Sequence, residues 1–334
     1  MVVSPGVRLW FATDTEKTMS SIDQTLAFLF PGQGSQTVGM LGALALDFPL
    51  VKTVYAEASE ALGYDLWTLV QEGPEAQLNL TTHTQPAMLA AGVAVWRVWS
   101  QESGVRPGWL AGHSLGEYTA LVCSGVLDFG AAVRLVAERG RLMQQAVEPG
   151  LGAMAAILGL GDAETVLVCE EASTGTETVV AANFNAPGQV VIAGHQQAVN
   201  RAIEGAKSKG AKRAVLLPVS VPSHSPLMQP AAEALKTHLA ACHFSQGYAP
   251  VIHNVDARSH DTPNDMRQAL EKQLHHSVLW VDSVRHMHSQ GVTRFIESGP
   301  GKVLAGLNKR IVPDAKTETI FDTESLRKAL ELAV

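Results

Sequence analysis

Short apolar segments that stop at glycine or proline alternate along the chain with longer segments of helical spacing, and this alternation limits the possible folds more than any other feature. The first such segment, residues 26–30, ends at Pro31 and Gly32. Shorter ones occupy residues 110–112 and 295–296. Continuous apolar runs are typical of strands buried on both faces of a sheet. Strands of this kind alternating with helices predict an α/β fold built on a parallel sheet.

Three helices are predicted between these strands from the spacing of apolar residues. They cover residues 39–62, 84–102 and 128–147. The second begins near Pro86, and Asp128 is suitably placed to cap the N-terminus of the third. Each of these segments is long enough to connect neighbouring parallel strands.

From about residue 150 the pattern changes. Strands are predicted at 152–158, 190–193 and 214–217, with a helical stretch after each of the first two. This order indicates a small α+β subdomain inserted into the larger one. Four prolines within residues 218–230 argue against regular structure there and predict a rigid connection back to the large subdomain.

These patterns divide the chain into three parts. We predict a large α/β subdomain formed by residues 23–148 and 219–334, and a small one formed by residues 149–218. Residues 1–22 lack the basic and then apolar order of a secretory signal, and we predict that they form a disordered extension. Met19 stands just before the first strand, and we expect translation to start there.

Charge and cysteine content exclude several classes of protein. The formal net charge is −7 with scattered Lys and Arg, whereas a nucleic-acid surface needs concentrated positive charge. Cys123, Cys169 and Cys242 lie far apart, a distribution that indicates neither a disulfide framework nor a zinc site. No apolar run approaches the roughly 20 residues that span a bilayer. We therefore expect a cytoplasmic protein that binds neither nucleic acid nor membrane.

The sequence Gly112-His113-Ser114-Leu115-Gly116 fits the G-x-S-x-G pattern of a nucleophilic serine. It follows an apolar run and precedes a helix-compatible stretch, which is the strand, sharp turn and helix that the motif requires. Such a turn strains the serine backbone and projects its hydroxyl at a helix N-terminus, where amides can stabilise an oxyanion. A pattern this short also arises by chance, so the assignment depends on its context.

A serine nucleophile needs a base, and His224 is the best candidate among the 12 histidines. Pro222 and Pro226 flank it and would fix its backbone, which suits general-base work. His113 adjoins the serine but is expected to point away from it. Histidines 275, 276, 286 and 288 lie in polar stretches, and residues two apart on a helix do not share a face, so they do not indicate a metal site.

Arg139 lies on the apolar stripe of the third predicted helix. Its neighbours on that stripe are Leu135, Val136, Leu142 and Met143. A guanidinium in such a position needs an acceptor, and its planar fork matches a carboxylate. It could clamp a substrate carboxylate. An internal salt bridge, or a side chain that reaches along the surface to solvent, remains an alternative.

Five segments, in the same order along residues 26–311, together resemble the malonyl-CoA:acyl carrier protein transacylase family of fatty-acid synthesis. They are FPGQGSQ at 30–36, GHSLGEY at 112–118, NAPGQVV at 185–191, VPSH at 221–224 and SGPGKVL at 298–304. The resemblance implies that Ser114 is the nucleophile, His224 its base and Arg139 the binder of the malonyl carboxylate. It further implies that the backbone amides of Gln33 and Leu115 form the oxyanion hole.

In that family a glutamine in a Q-L-x-x-P-V segment supports the histidine. Gln273 takes this place here, and Ser277 stands where the family has proline. This departure bears on the rigidity of the segment. Because a neutral amide or a main-chain carbonyl can orient the imidazole, the resemblance implies a Ser–His dyad, and we expect no essential third carboxylate.

The resemblance also implies a fold and a reaction. The fold is a hydrolase-like α/β subdomain with an inserted ferredoxin-like subdomain, and the active site lies in the cleft between them. The reaction is ping-pong transfer from malonyl-CoA to the thiol of holo acyl carrier protein, without metal or redox cofactor, by an enzyme that we expect to be monomeric. Three other interpretations stay open: a serine esterase or thioesterase, a polyketide acyltransferase, and a non-catalytic module that docks carrier protein.

Overall fold

Two β-sheets, one parallel and one antiparallel, organise the chain. The computed structural model describes residues 21–219 and 221–333. The predicted start at Met19 and nearly all of the predicted extension lie outside these residues. Ser21 and Ile22 were also assigned to the extension, but they belong to the first strand, where they pair with Val105 and Arg106.

The strands of the two sheets are β1 (Ser21–Phe30), β2 (Val105–Gly112), β3 (Gly152–Leu158), β4 (Val179–Ala186), β5 (Gln189–His195), β6 (Arg213–Leu216), β7 (Val251–Ile252), β8 (Arg294–Ser298) and β9 (Lys316–Ile320). The helices are α1 (Gly42–Asp47), α2 (Leu50–Leu62), α3 (Leu66–Glu72), α4 (Glu75–Leu78), α5 (Thr81–Glu102), α6 (Gly116–Cys123), α7 (Phe129–Gln145), α8 (Asp162–Ala172), α9 (Gln196–Ser208), α10 (Gln229–Ala241), α11 (Pro263–Gln273), α12 (Trp280–Ser289), α13 (Val303–Ile311) and α14 (Thr323–Ala333). Among the described helices, none combines the length and the apolarity needed to cross a membrane.

The large sheet is parallel, with strand order β7-β2-β1-β8-β9. Leu26, Phe28 and Phe30 of β1 point into one hydrophobic core, and Ala27 and Leu29 point into a second core on the opposite face. Helices cover both faces, so every side chain in this half of β1 is buried. The predicted parallel sheet is confirmed, and the two-sided burial explains the uninterrupted apolar run.

The predicted helices differ from the observed ones mainly at proline. The helix expected over residues 39–62 is two helices, α1 and α2, separated at Phe48 and Pro49. Phe48 is extended, because the ring of a following proline disfavours the helical conformation. The cap of α7 is as predicted: the Asp128 side chain accepts a hydrogen bond from the amide of Ala131.

The small sheet is antiparallel, with strand order β4-β5-β3-β6. With α8 and α9 on one face it has the β-α-β-β-α-β order of a ferredoxin-like subdomain, which confirms the predicted fold class. Strand β4 was not predicted. Its apolar stretch is short and ends in Asn183 and Asn185, so it lacks the continuous pattern of the other strands. The exact limits of the two subdomains remain a prediction.

The proline-rich connection after β6 is partly regular, contrary to the prediction. Pro226 begins a short 3-10 turn that ends at Met228, and Pro230 lies in the first turn of α10. Proline is compatible with the first turn of a helix because the amide that it lacks would have no helical partner there. Within the described residues, the irregular part of the connection is residues 217–219 and 221–225, which include His224.

Candidate active site

Ser114 occupies the sharp turn between β2 and α6, with a φ of +51°. The turn brings the start of α6 against the end of β1. A Cβ on Gly116 would lie 2.0 Å from the carbonyl oxygen of Phe30, and one on Gly112 would lie 1.9 Å from the backbone of Gly116. Only glycine fits at both positions. The predicted strand, turn and helix are therefore present, and the turn is held by close backbone contact.

Asn254, which follows β7, stabilises this turn from the side. Its Oδ1 accepts a hydrogen bond from the amide of Ser114 at 2.7 Å, and its Nδ2 donates to the carbonyl of Gly112 at 2.7 Å. Strand β7 pairs with β2 in the parallel sheet, which brings Asn254 beside the turn. The side-chain amide takes the place of two backbone partners that the strained conformation cannot provide locally.

His224 lies beside the serine as predicted. Its Nε2 is 2.8 Å from Ser114 Oγ, and its Nδ1 is 2.7 Å from the carbonyl oxygen of Gln273. A carbonyl only accepts hydrogen bonds, so Nδ1 carries the proton and Nε2 is free to accept the one on Oγ. The backbone of His224 is also fixed, since its amide donates to the carbonyl of Leu274 and its φ is +63°. The orientation suits a general base.

The pKa of His224 is lowered from 6.5 to about 3, first by burial and second by the nearby positive charge of Arg139. The hydrogen bond to the carbonyl of Gln273 opposes this shift. The imidazole is therefore neutral at physiological pH, which is the state that a base requires.

Arg139 of α7 reaches the serine and is almost fully buried, at 1% exposure. Its Nη1 donates to Gln85 Oε1 at 2.9 Å, and its Nη2 donates to Gln273 Oε1 at 2.9 Å and to Ser114 Oγ at 3.3 Å. In residues 21–219 and 221–333 no carboxylate lies within ion-pair distance of it, and its Nε has no hydrogen-bond partner. The two alternatives, an internal salt bridge and a surface-reaching side chain, are therefore wrong.

The side chain of Gln273 connects several of these groups. Its Nε2 donates to the carbonyl of Ser114 at 2.9 Å and to Glu117 Oε2 at 2.8 Å. Glu117 is fully buried and also contacts His253 Nδ1, at 2.7 Å from its Oε1. Gln273 thus fixes the base through its main chain and contacts the nucleophile loop and Arg139 through its side chain.

Gln33 and Leu115, the predicted oxyanion donors, lie on neighbouring loops and both line the cleft beside Ser114. The loop that carries Gln33 packs closely against the turn. A Cβ on Gly32 would lie 2.6 Å from the carbonyl oxygen of His113 and 3.8 Å from the amide nitrogen of Leu115. Within the described part of the chain, neither the Gln33 amide nor the Leu115 amide has an acceptor. Two unpaired amides near a nucleophile are what an oxyanion hole requires.

The cleft that contains these groups has a volume of about 320 Å³ and lies between the two sheets. Met154, Asn183 and Val191 of the small sheet form its far wall. His113 Nε2 reaches across to Asn185 Oδ1 at 2.8 Å, so its ring points towards β4 and bonds the two walls together.

Ser277, which replaces the family proline, connects the segment after Gln273 to the small sheet. Its Oγ donates to the carbonyl of Ala181 in β4 at 2.6 Å, and the amide of Val278 donates to the carbonyl of Ala182 at 2.8 Å. These hydrogen bonds restrain the segment where the family uses a fixed proline ring.

The remaining histidines and cysteines lie elsewhere. The described side chains include no cluster of three or more histidine, cysteine or acidic residues able to hold a metal ion. His275 and His276 contact each other through their rings, outside the cleft. Cys123, Cys169 and Cys242 are free thiols that do not line it. Among the cleft-lining residues, Ser114 and His224 are therefore the candidates for nucleophile and base.

Comparison with known proteins identifies the family. The acyl transferase domain family matches residues 27–321. A malonyl CoA-acyl carrier protein transacylase of Escherichia coli strain K12 is 55% identical over 306 residues, which cover 92% of this chain and 99% of the relative.

Two solved structures are similar throughout. One, described as an acyl carrier protein S-malonyltransferase from Vibrio cholerae, has 54% identity and a TM-score of 0.89, and the match covers 91% of this chain and 99% of that one. The other, described as a type II PKS acyl-carrier protein in complex with its malonyl-transacylase, has 52% identity and a TM-score of 0.91, with 92% and 99% covered. The chain belongs to the acyl transferase family, among the malonyl CoA-acyl carrier protein transacylases.

Proposed function

We propose that this protein transfers the malonyl group from malonyl-CoA to the phosphopantetheine thiol of holo acyl carrier protein, through a malonyl ester of Ser114. The observation that carries this proposal is the buried guanidinium of Arg139, 3.3 Å from the nucleophilic oxygen and without a carboxylate partner among the described residues. A malonyl carboxylate would supply that partner while its thioester carbonyl lies at Ser114.

In the first half-reaction His224 Nε2 takes the proton of Ser114 Oγ, and the oxygen attacks the thioester carbonyl. The charge that develops on the carbonyl oxygen is stabilised by the amides of Gln33 and Leu115. The C–S bond then breaks, and the proton on His224 is transferred to the leaving thiolate, which departs as coenzyme A. The malonyl group remains as an ester on Ser114.

In the second half-reaction the carrier thiol gives its proton to His224 Nε2 and attacks the ester carbonyl. The ester C–O bond breaks, and the proton returns to Ser114 Oγ. The chain and its two substrates supply every group in this scheme, so the proposed reaction uses no cofactor. We further propose that the enzyme acts as a cytoplasmic monomer.

Supply of malonyl groups for fatty-acid elongation is the proposed role, in line with the transacylases that the chain resembles. A second candidate is supply of a polyketide carrier protein. The observation that favours it is the 52% identity to the malonyl-transacylase found in complex with a type II PKS acyl-carrier protein. The two roles use the same chemistry and differ in the carrier.

Intact-mass spectrometry tests the proposal. Purified enzyme mixed with malonyl-CoA is expected to gain one malonyl group, and this adduct is expected to discharge onto added holo acyl carrier protein. Apo carrier, which lacks the thiol, is the control and should not discharge it. Discharge to water at an equal rate with either carrier would contradict the transferase and support the esterase or thioesterase. Absence of any adduct would support the non-catalytic docking module.

The pH dependence of acylation tests the assignment of His224. Because burial and the charge of Arg139 lower its pKa from 6.5 to about 3, the proposed base stays unprotonated well below pH 6.5. We expect kcat/KM for acylation by malonyl-CoA to stay level between pH 8 and 5 rather than to fall near pH 6.5. The unfolded chain binds a proton near pH 6.5 that the folded one excludes, so the free energy of unfolding should decrease below that pH. A decrease of kcat/KM for acylation centred at pH 6.5 would contradict the assignment of His224 as the base.

A further inference from the structure

Among the described residues, no negatively charged side chain contacts the buried guanidinium of Arg139. All its hydrogen-bond acceptors are neutral: Gln85, Gln273 and Ser114. Burial in these surroundings lowers the pKa of the guanidinium, but arginine remains charged. A cation held by neutral groups in a buried site requires a compensating negative charge nearby.

Glu117 in the first turn of α6 is a fully buried acidic residue. Its Oε2 accepts hydrogen bonds from Gln273 Nε2 at 2.8 Å and from the amide of Asn254 at 2.9 Å, and its Oε1 lies 2.7 Å from His253 Nδ1. Hydrogen bonds of this kind are the usual way in which a fully buried carboxylate is accommodated in a protein. Glu117 makes no contact with the reacting atoms, and the mechanism above does not use it.

The side-chain amide of Gln273 lies between the two charges. Its oxygen accepts from Arg139 Nη2 at 2.9 Å, and its nitrogen donates to Glu117 Oε2 at 2.8 Å. The dipole of the amide is thus aligned with its negative end towards the cation and its positive end towards the anion. Rotation of the amide would place donor against donor and acceptor against acceptor, so this orientation is fixed.

We propose that Glu117 is the counter-charge of Arg139 and that it sets, through Gln273, how strongly the acyl site holds a substrate carboxylate. The inference rests on the proposed function and assigns a specificity-determining role to a residue that only positions and polarises others. A carboxylate bound to Arg139 is attracted by the guanidinium and repelled by Glu117. At a separation on the order of 8 Å and an effective dielectric near 20, that repulsion weakens binding roughly ten- to thirtyfold.

This arrangement has a use in a two-step transfer. A guanidinium without a counter-charge would hold the malonyl carboxylate more tightly and slow its departure with the carrier. A guanidinium paired directly with a carboxylate would have no site left for the substrate. A counter-charge placed one amide away from Arg139 avoids both outcomes.

Replacement of Glu117 by Gln removes the charge with little change of shape. The new amide oxygen can accept from Gln273 and from the amide of Asn254, and its nitrogen can donate to His253 Nδ1. The last contact needs the proton of His253 on Nε2, a buried atom that has no hydrogen-bond partner at present. A change of tautomer therefore accommodates the variant.

The test compares malonyl-CoA and acetyl-CoA as acyl donors to Ser114. In Glu117→Gln we expect KM for malonyl-CoA to fall about tenfold relative to KM for acetyl-CoA, and discharge of malonyl-enzyme to the carrier to slow by a similar factor. Gln85→Glu adds a charge next to Arg139 Nη1, where Gln85 Oε1 now lies at 2.9 Å. It should shift the malonyl-to-acetyl KM ratio in the opposite direction, by at least tenfold.

Glu297→Gln is the matched control when assayed at pH 8, because burial raises the pKa of the Glu297 carboxyl to about 7. Glu297 is also fully buried, but it accepts hydrogen bonds from the backbone amides of Leu304 and Ala305 and makes none with Gln273. We expect it to change the kinetics of both donors alike. Equal shifts for both donors in Glu117→Gln, or shifts of the same sign in the two test variants, would overturn the proposal. If Glu117→Gln does not fold, an unchanged ratio in Gln85→Glu overturns it. Wild-type enzyme that forms no malonyl adduct would instead contradict the proposed function.

Discussion

Replacing Ser114 with Ala is expected to abolish the malonyl adduct and to lower the rate of transfer to the carrier roughly 10⁴-fold or more. The reason is that His224 Nε2 contacts this hydroxyl at 2.8 Å, and the free cysteines, which could otherwise act as nucleophiles, do not line the cleft. Intact mass after incubation with malonyl-CoA measures the adduct, and a thiol-release assay measures the rate.

The matched control is Ser223→Ala, since this serine lines the same cleft and precedes the base. It should retain the adduct. The Ser114→Ala protein should unfold at nearly the same temperature as wild type, because only one oxygen is lost from the turn and the backbone contacts of Asn254 remain. Persistence of a malonyl adduct in Ser114→Ala would show that another residue is the nucleophile.

Replacing Arg139 with Ala is expected to change the acyl preference roughly 10²- to 10⁴-fold, from malonyl towards acetyl. Two charge-assisted hydrogen bonds to the substrate carboxylate would be lost, each of about 1.5–3 kcal/mol. An acetyl group leaves the guanidinium of wild-type enzyme unpaired, so its transfer should fall little or even increase. Competition between malonyl-CoA and acetyl-CoA, read as the ratio of the two adducts on Ser114, measures the change.

Two further variants, Arg139→Lys and Arg139→Met, distinguish the effect of losing the charge from the effect of losing the packed side chain. Lysine keeps a positive charge but lacks the planar fork, so it should retain part of the malonyl preference. Methionine fills more of the volume beside Tyr118, whose ring centre lies 5.4 Å from the guanidinium carbon, and it should behave like Ala in selectivity while being more stable. An unchanged malonyl-to-acetyl ratio in all three variants would exclude Arg139 as the carboxylate site.

The parts of the site that could be predicted from the sequence are those encoded locally. The turn around Ser114 is defined by five consecutive residues, because two glycines remove the clashes that the close backbone contacts would otherwise cause. The burial of Arg139 follows from its place on the apolar stripe of one helix. Asp128 likewise caps its own helix, a contact between residues three apart in the chain. In each case the residues that determine the local structure lie within a few positions of the residue that they place.

The partners of those residues could not be predicted from residue patterns, because they come from distant parts of the chain. Arg139 contacts Gln85, 54 residues away, and Gln273, 134 residues away. Only the family resemblance indicated Gln273. Asn254 follows β7, a strand of two residues that is too short to show a pattern. The motif at residues 112–118 contains Glu117 without giving it a role, and its partners Asn254 and Gln273 are more than 130 residues away.

The imidazole of His224, the proposed base, is oriented by the main-chain carbonyl of residue 273 rather than by its side chain. Every amino acid has that carbonyl, so a mutation at this position leaves the acceptor for His224 in place. The side chain of the same residue contacts Arg139, the proposed carboxylate binder, and makes no hydrogen bond with His224. During evolution, a substitution here is therefore expected to change the surroundings of Arg139 while the acceptor for His224 remains, so that acyl preference and proton transfer can change separately.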